Sequence, residues 1–177
     1  MNTDVINSFS KEEKYVTNSK LQSDSGRPRA FDTIVWGGLT AGVLDSVDAV
    51  IAFGLNGMNP IQVLQFIASG LLGTAAFKGG LATAGLGALL HFLIALVVAA
   101  VFYFASLKLP ALYQQAAIWG LVYGTAVYLF MNCLVLPFSA VPKGPFSLPL
   151  FLNGLIGHAL FVGFPIAWFA RRSARTT

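Results

Sequence analysis

Charge is the scarcest property of this sequence. Asp, Glu, Lys and Arg make up 10% of 177 residues against 56% hydrophobic residues, a balance that excludes an ordinary water-soluble domain. Of the eighteen charged residues, nine precede Phe31 and nine are spread over everything that follows. Cysteine is nearly absent as well: Cys133 stands alone, which excludes an intrachain disulfide and any cysteine-built zinc or redox pair. No phosphate-binding glycine loop, nucleophile elbow or paired-histidine metalloprotease motif occurs, so a nucleotide-driven pump or a standard hydrolase lacks its parts, and the enzyme reading left open is one using a bound metal or haem. No apolar run follows a basic start, so no cleavable leader is expected and the first apolar helix serves as its own signal. The net charge of +4 does not imply nucleic acid, because the basic residues sit in the tail and at helix ends.

What is present is hydrocarbon in long runs. About 20 mostly apolar residues cross a bilayer core, and four segments qualify: Phe31 to Leu55, Leu81 to Leu107, Tyr113 to Leu136 and Leu148 to Ala170. The expected fold is an all-α membrane protein, a four-transmembrane-helix bundle. A shorter stretch, Asn59 to Phe77, lies between spans 1 and 2. It opens with Asn59 as N-cap and Pro60 in the first turn, and Gln62, Gln65 and Ser69 recur at helical spacing. That stripe reads as the solvent-facing side of an additional interfacial or re-entrant helix. The first half thus has an element the second lacks, which argues against an inverted-repeat transporter.

Loop charge orients the bundle. With four spans, Arg27, Arg29, Lys108, Arg171, Arg172 and Arg175 collect on one side, and only Lys78 and Lys143 on the other. The positive-inside rule therefore places both termini in the cytoplasm, whereas a fifth span would translocate the Arg171, Arg172, Arg175 cluster. The domain reading is a disordered cytoplasmic tail over 1–30, a single transmembrane domain over 31–170 and a basic cytoplasmic tail over 171–177. The connection from Pro137 to Pro145 holds Pro142 and Gly144 too, which makes it a stiff non-helical turn, and Pro165 predicts a kink in the last helix.

Lipid gives helices no hydrophobic drive to associate, so small residues mark their contacts. Gly38 with Gly42, Gly120 with Gly124, Gly80 with Ala84 and Gly87, and Gly154 with Gly157 form such faces. They pack the bundle, and also suit a homo-oligomer. Asp45 and Asp48, His91 and His158 lie on these faces, and with Asn132 and Asn153 near the outer helix ends they are the residues costly in lipid. Each ionised Asp costs about 2.5 to 3.5 kcal/mol near the bilayer centre on insertion scales. At about 1.5 Å per residue, all six fall in the outer half, which predicts one polar, outward-facing pocket lidded by the Asn59 to Phe77 segment.

Three readings of that pocket remain open. It handles a proton, cation or small polar solute. Asp45, Asp48, His91 and His158 suit a divalent metal such as zinc, iron or manganese, and His91 with His158 suit the axial positions of a b-type haem. The third reading is structural or assembly pairing, with an Asp neutralised by Lys78 or by a histidine.

The run Gly120-Leu121-Val122-Tyr123-Gly124-Thr125-Ala126-Val127-Tyr128-Leu129-Phe130-Met131-Asn132, continuing through Val135-Leu136-Pro137-Phe138-Ser139-Ala140, resembles an uncharacterised family of small four-span bacterial inner-membrane proteins. The likeness extends over about Phe31 to Ala170. It implies a bacterial inner (cytoplasmic) membrane and four spans, and, as that family has no established activity, it carries over no site residue.

Overall fold

A computed structural model describes residues 27–175. The expected disordered tail lies almost wholly outside the described residues. Among those described there is no strand, and five helices are long and apolar enough to cross a membrane: α1 (Asp32–Gly54), α2 (Pro60–Lys78), α3 (Gly80–Lys108), α4 (Ala116–Val135) and α5 (Leu148–Arg175). The chain is an all-α membrane bundle. The segment after span 1, expected to fall short of a span, is long and apolar enough to be one, so length alone does not give four.

Outward-facing apolar rows identify the solvent these helices need. On α3, Leu89, Leu93, Val97 and Val101 recur every four residues, one face of a helix, and all are exposed. Val43, Val47 and Ile51 do the same on α1, as do Leu152, Ile156 and Leu160 on α5. In water such rows would be aggregation sites, whereas in a bilayer they are simply solvated.

Glycines let the backbones approach. A Cβ on Gly38 would lie 3.1 Å from Leu96, and one on Gly42 2.8 Å from Phe92, which seats α1 on α3. Between α4 and α5 the fit is tighter still: a Cβ on Gly124 would fall on the His158 carbonyl oxygen, and one on Gly163 on that of Gly120. Gly87 is pressed against the backbone of Leu64, Gly154 against the Tyr128 ring and Gly157 against the Asp48 carboxylate. The glycine faces read as suited to a second copy are thus largely occupied within one chain.

The two ends of the bundle differ. At the termini end, the Arg29 N–H donates to Ser173 Oγ at 3.0 Å, and Ala41, Ala99, Phe102, Ala116, Val162, Ile166, Ala167 and Ala170 form the core. The last helix runs on through Arg175 with Ser173 and Ala174 buried. Most of the stretch read as a basic tail over 171–177 is therefore helix packed on the start of α1. At the opposite, distal end, α3 and α4 do not pack along their backbones. The Tyr123 hydroxyl, donating to the Val98 carbonyl at 2.7 Å, bridges them lower down.

Helix α2 covers this gap. Its start is fixed by a capping box, with Asn59 Oδ1 accepting from the Gln62 N–H at 3.0 Å and Gln62 Oε1 accepting from the Asn59 N–H at 2.9 Å. After Leu72 the winding tightens to a 3-10 helix, and the reversal into α3 passes through Gly73 (φ 59°) and Gly80 (φ 56°), both in the region that favours glycine. Phe66 packs on Phe53 near the end of α1. The Gly70 carbonyl accepts from the Ala140 N–H at 3.0 Å, clasping the proline-bearing connection between α4 and α5. Gln65 and Ser69, expected to face solvent, are buried. Gln65 Nε2 donates to the Gly80 carbonyl at 2.9 Å and Thr83 Oγ1 at 3.3 Å, because a helix this close to α3 offers polar partners on its inner side.

Candidate functional site

The distal end is hollow, and its hollow has two parts. One is an apolar cavity of about 300 Å³ beneath α2, walled by residues such as Ile67, Ile94, Val98, Val127 and Met131. The other, of about 740 Å³, is more polar and is walled partly by the 141–147 connection. Asp45 and His158 line both.

Their placement follows from local sequence. Asp45 follows Gly38 and Gly42 on nearly the same face of α1, so its carboxylate is carried into the bundle by the packing on α3. His158 opens a wider π-helical turn, His158–Gly163, that ends just before Pro165. A proline has no N–H for the ordinary helical bond, and a π-turn in front of it re-seats the ladder. The result puts His158 Nδ1 3.4 Å from Asp45 Oδ1, with side chains 22% and 16% exposed. Nδ1 itself is buried and has no aligned hydrogen bond. The contact falls short of a well-formed hydrogen bond. The Tyr128 ring packs edge-on against the imidazole at 5.1 Å.

Asp48, one turn further on, behaves differently. Its Oδ2 accepts from Asn153 Nδ2 at 2.9 Å and rests on Gly157, where any side chain would displace it. It therefore ties α1 to α5. Asn132 lines the polar cavity while its amide donates to the Tyr128 carbonyl one turn back.

Five of the six residues singled out from the sequence thus line the polar cavity: Asp45, Asp48, Asn132, Asn153 and His158. His91 does not. It borders the apolar cavity, and its Nε2 donates to the Gly42 carbonyl at 2.8 Å. Two consequences follow for a cofactor. Among the described residues no three His, Cys, Asp or Glu side chains are arranged to hold a metal ion. The imidazoles of His91 and His158 are not a facing pair of free ligands either, since the first is engaged by backbone. Lys78 is exposed at the end of α2, and the ion pairs among the described residues include Arg29–Asp32 and His158–Asp45. Of the two counter-charges expected for an Asp, the histidine is the one in place.

Sequence reasoning missed Tyr128, which was read as part of a span, and Gly157, read only as a packing glycine. Tyr128 lies four residues before Asn132, on the same helix face, and that spacing was the available signal.

No family model, curated protein or solved structure matches this chain.

Proposed function

We propose that this chain is a small proton-handling membrane protein whose working group is the Asp45–His158 pair, reached from the non-cytoplasmic side. The observation that carries the reading is that this carboxylate–imidazole pair borders both cavities at once. It is the position from which a proton can pass between a wet and a dry compartment. Ionisable residues inside a bilayer mark ion and proton paths as a rule, and histidine is the side chain that exchanges a proton near neutral pH. Asp48 takes the structural role in this reading, because its carboxylate is already spent on Asn153 and on the contact with Gly157.

Four crossings, with α2 entering and leaving on one side, fit the contacts best. The start of α2 follows the distal end of α1, its middle meets Phe53 and Thr83, and its end meets Ala140. Arg29, Lys108, Arg171, Arg172 and Arg175 then share the cytoplasmic side of the inner membrane, as loop charge requires, and the family resemblance points to the same membrane.

Two experiments test the reading. In vesicles bearing the purified chain and an imposed potassium diffusion potential, an internal pH dye should report proton entry. Asp45→Asn and His158→Gln should each slow that entry at least about tenfold, while Asp48→Asn should not. Wild-type vesicles no leakier than protein-free ones would end the proposal. For topology, Asn56→Cys and Lys78→Cys in a Cys133→Ser background should both react with an impermeant maleimide from outside the cell, and Arg175→Cys should not. Labelling of Asn56→Cys and Lys78→Cys from opposite sides would make α2 a fifth crossing.

A further inference from the structure

The apolar cavity has a chemistry of its own. Among the described residues its ionisable wall residues are Asp45, His91 and His158, with no Lys or Arg among them. His91 is engaged with the Gly42 carbonyl, so on this wall the Asp45 carboxylate faces the His158 imidazole and no cationic side chain. The remaining ionisable groups around the pair all lie on the polar cavity: Asp48 from α1, Tyr128 from α4 and Lys143 from the connection, while α2 contributes none to either space.

Building on the proton-handling reading, we infer that this cavity binds a singly charged amphipathic organic cation, its apolar body beneath α2 and its charged centre at Asp45, in exchange for the proton of His158. Charge complementarity selects the class. A carboxylate withdrawn from water strongly favours a positive partner, an anion would face that carboxylate directly, and an uncharged amphiphile would leave the proton where it is. The volume of about 300 Å³ lies at the small end of ligand sites.

The exchange balances. The exchange starts from the form of the pair that is neutral overall, with the charge of the Asp45 carboxylate balanced by a proton on His158 Nδ1. As the cation settles at Asp45, the Nδ1–H bond breaks, its electron pair stays on the imidazole and the proton leaves to water in the polar cavity. One positive charge enters and one departs.

The test uses the full chain in dodecyl maltoside with tetraphenylphosphonium as the probe. Binding is followed by equilibrium dialysis, and proton release by calorimetry in two buffers of different ionisation heat. The expected result is one saturable site that releases close to one proton per cation at pH values where His158 is protonated. Over that range affinity should rise by about tenfold per pH unit. Asp45→Asn should weaken binding at least tenfold. His158→Gln, which keeps the carboxylate, should bind with no proton release and no pH dependence, and a monodisperse elution profile with unchanged helical circular dichroism shows that either variant is folded. Absence of saturable binding by the wild type overturns the inference, and the proton-entry assay on the same preparation then shows whether the underlying reading stands. Binding without proton release, or proton release that survives His158→Gln, overturns the exchange.

Discussion

Replacing Asp48 by Asn separates the two carboxylates that a sequence reading treats alike. In the native chain Asp48 Oδ2 accepts one hydrogen bond from Asn153, and such a bond to a charged group contributes about 1.5–3 kcal/mol. Both partners border the polar cavity, so the lower figure applies. An Asn side chain is nearly the same shape, still fits over Gly157 and still offers a carbonyl oxygen to the Asn153 amide. It retains about 0.5–1.5 kcal/mol of that bond. Against the net loss of about 0–1 kcal/mol stands the removal of a half-buried charge, worth about 2.5 kcal/mol or more at mid-bilayer and less beside a polar cavity. The sum is neutral to slightly stabilising. Thermal melting in detergent, followed by circular dichroism, should therefore move by no more than a few degrees, since about 1 kcal/mol corresponds to about 2–4 °C for a chain of this size. Abundance in the membrane should be unchanged and proton entry retained. Proton entry lost while the melting temperature and abundance stay unchanged would refute the assignment of Asp48 to structure and return it to the working site, and a fall of ten degrees or more would refute the near-neutral balance.

Further consequences concern the frame around the pair. Gly124→Ala places a methyl group on the His158 carbonyl oxygen and should destabilise the chain by about 1–3 kcal/mol, read as a lowered melting temperature, with proton entry falling as His158 is pushed from Asp45. Tyr123→Phe keeps the ring against Phe102 but loses the hydroxyl bond to Val98, which should cost about 1 kcal/mol and make hydrogen exchange faster in the middle of α3. Asn59→Ala removes the acceptor of the capping box and should cost about 0.5–2 kcal/mol, with the increase in exchange confined to the first turn of α2.

The helices were legible because hydrocarbon length is a strong signal. The observed ranges Gly80–Lys108 and Leu148–Arg175 contain the expected Leu81 to Leu107 and Leu148 to Ala170, and the cap at Asn59 and Pro60 stands where the residue types put it. Inward direction was legible too, because Gly42 fixes which way Asp45 points. Partner choice was not. Nothing local distinguishes Asp45, which finds an imidazole, from Asp48, which finds an amide, because that depends on the rotation of α5 about its axis. The π-turn at His158–Gly163 alters that rotation, and an ordinary helical wheel misplaces whatever follows it. Gln65 and Ser69 were misjudged for a related reason. Their spacing gives a common face but not the side it takes, and the close approach of Leu64 to Gly87 turned that face to α3.

The cost of the site bears on what it is for. Two ionised aspartates near the bilayer centre would cost about 5–7 kcal/mol on insertion scales, comparable to the whole stability of many domains. Asn153 and His158 offset part of that. A tie between α1 and α5 made only to hold helices together needs neither charge, since an amide pair supplies a hydrogen bond without a desolvated carboxylate. The Asp48–Asn153 contact is already such a tie in all but charge. The Asp45–His158 contact is not, because at 3.4 Å and without an aligned hydrogen bond it gives less attraction than a fixed structural pair would. A carboxylate–imidazole pair held slightly apart, with a polar cavity on one flank and an apolar one on the other, is poorly made as a fastening, and that mismatch is what the proton-handling proposal accounts for.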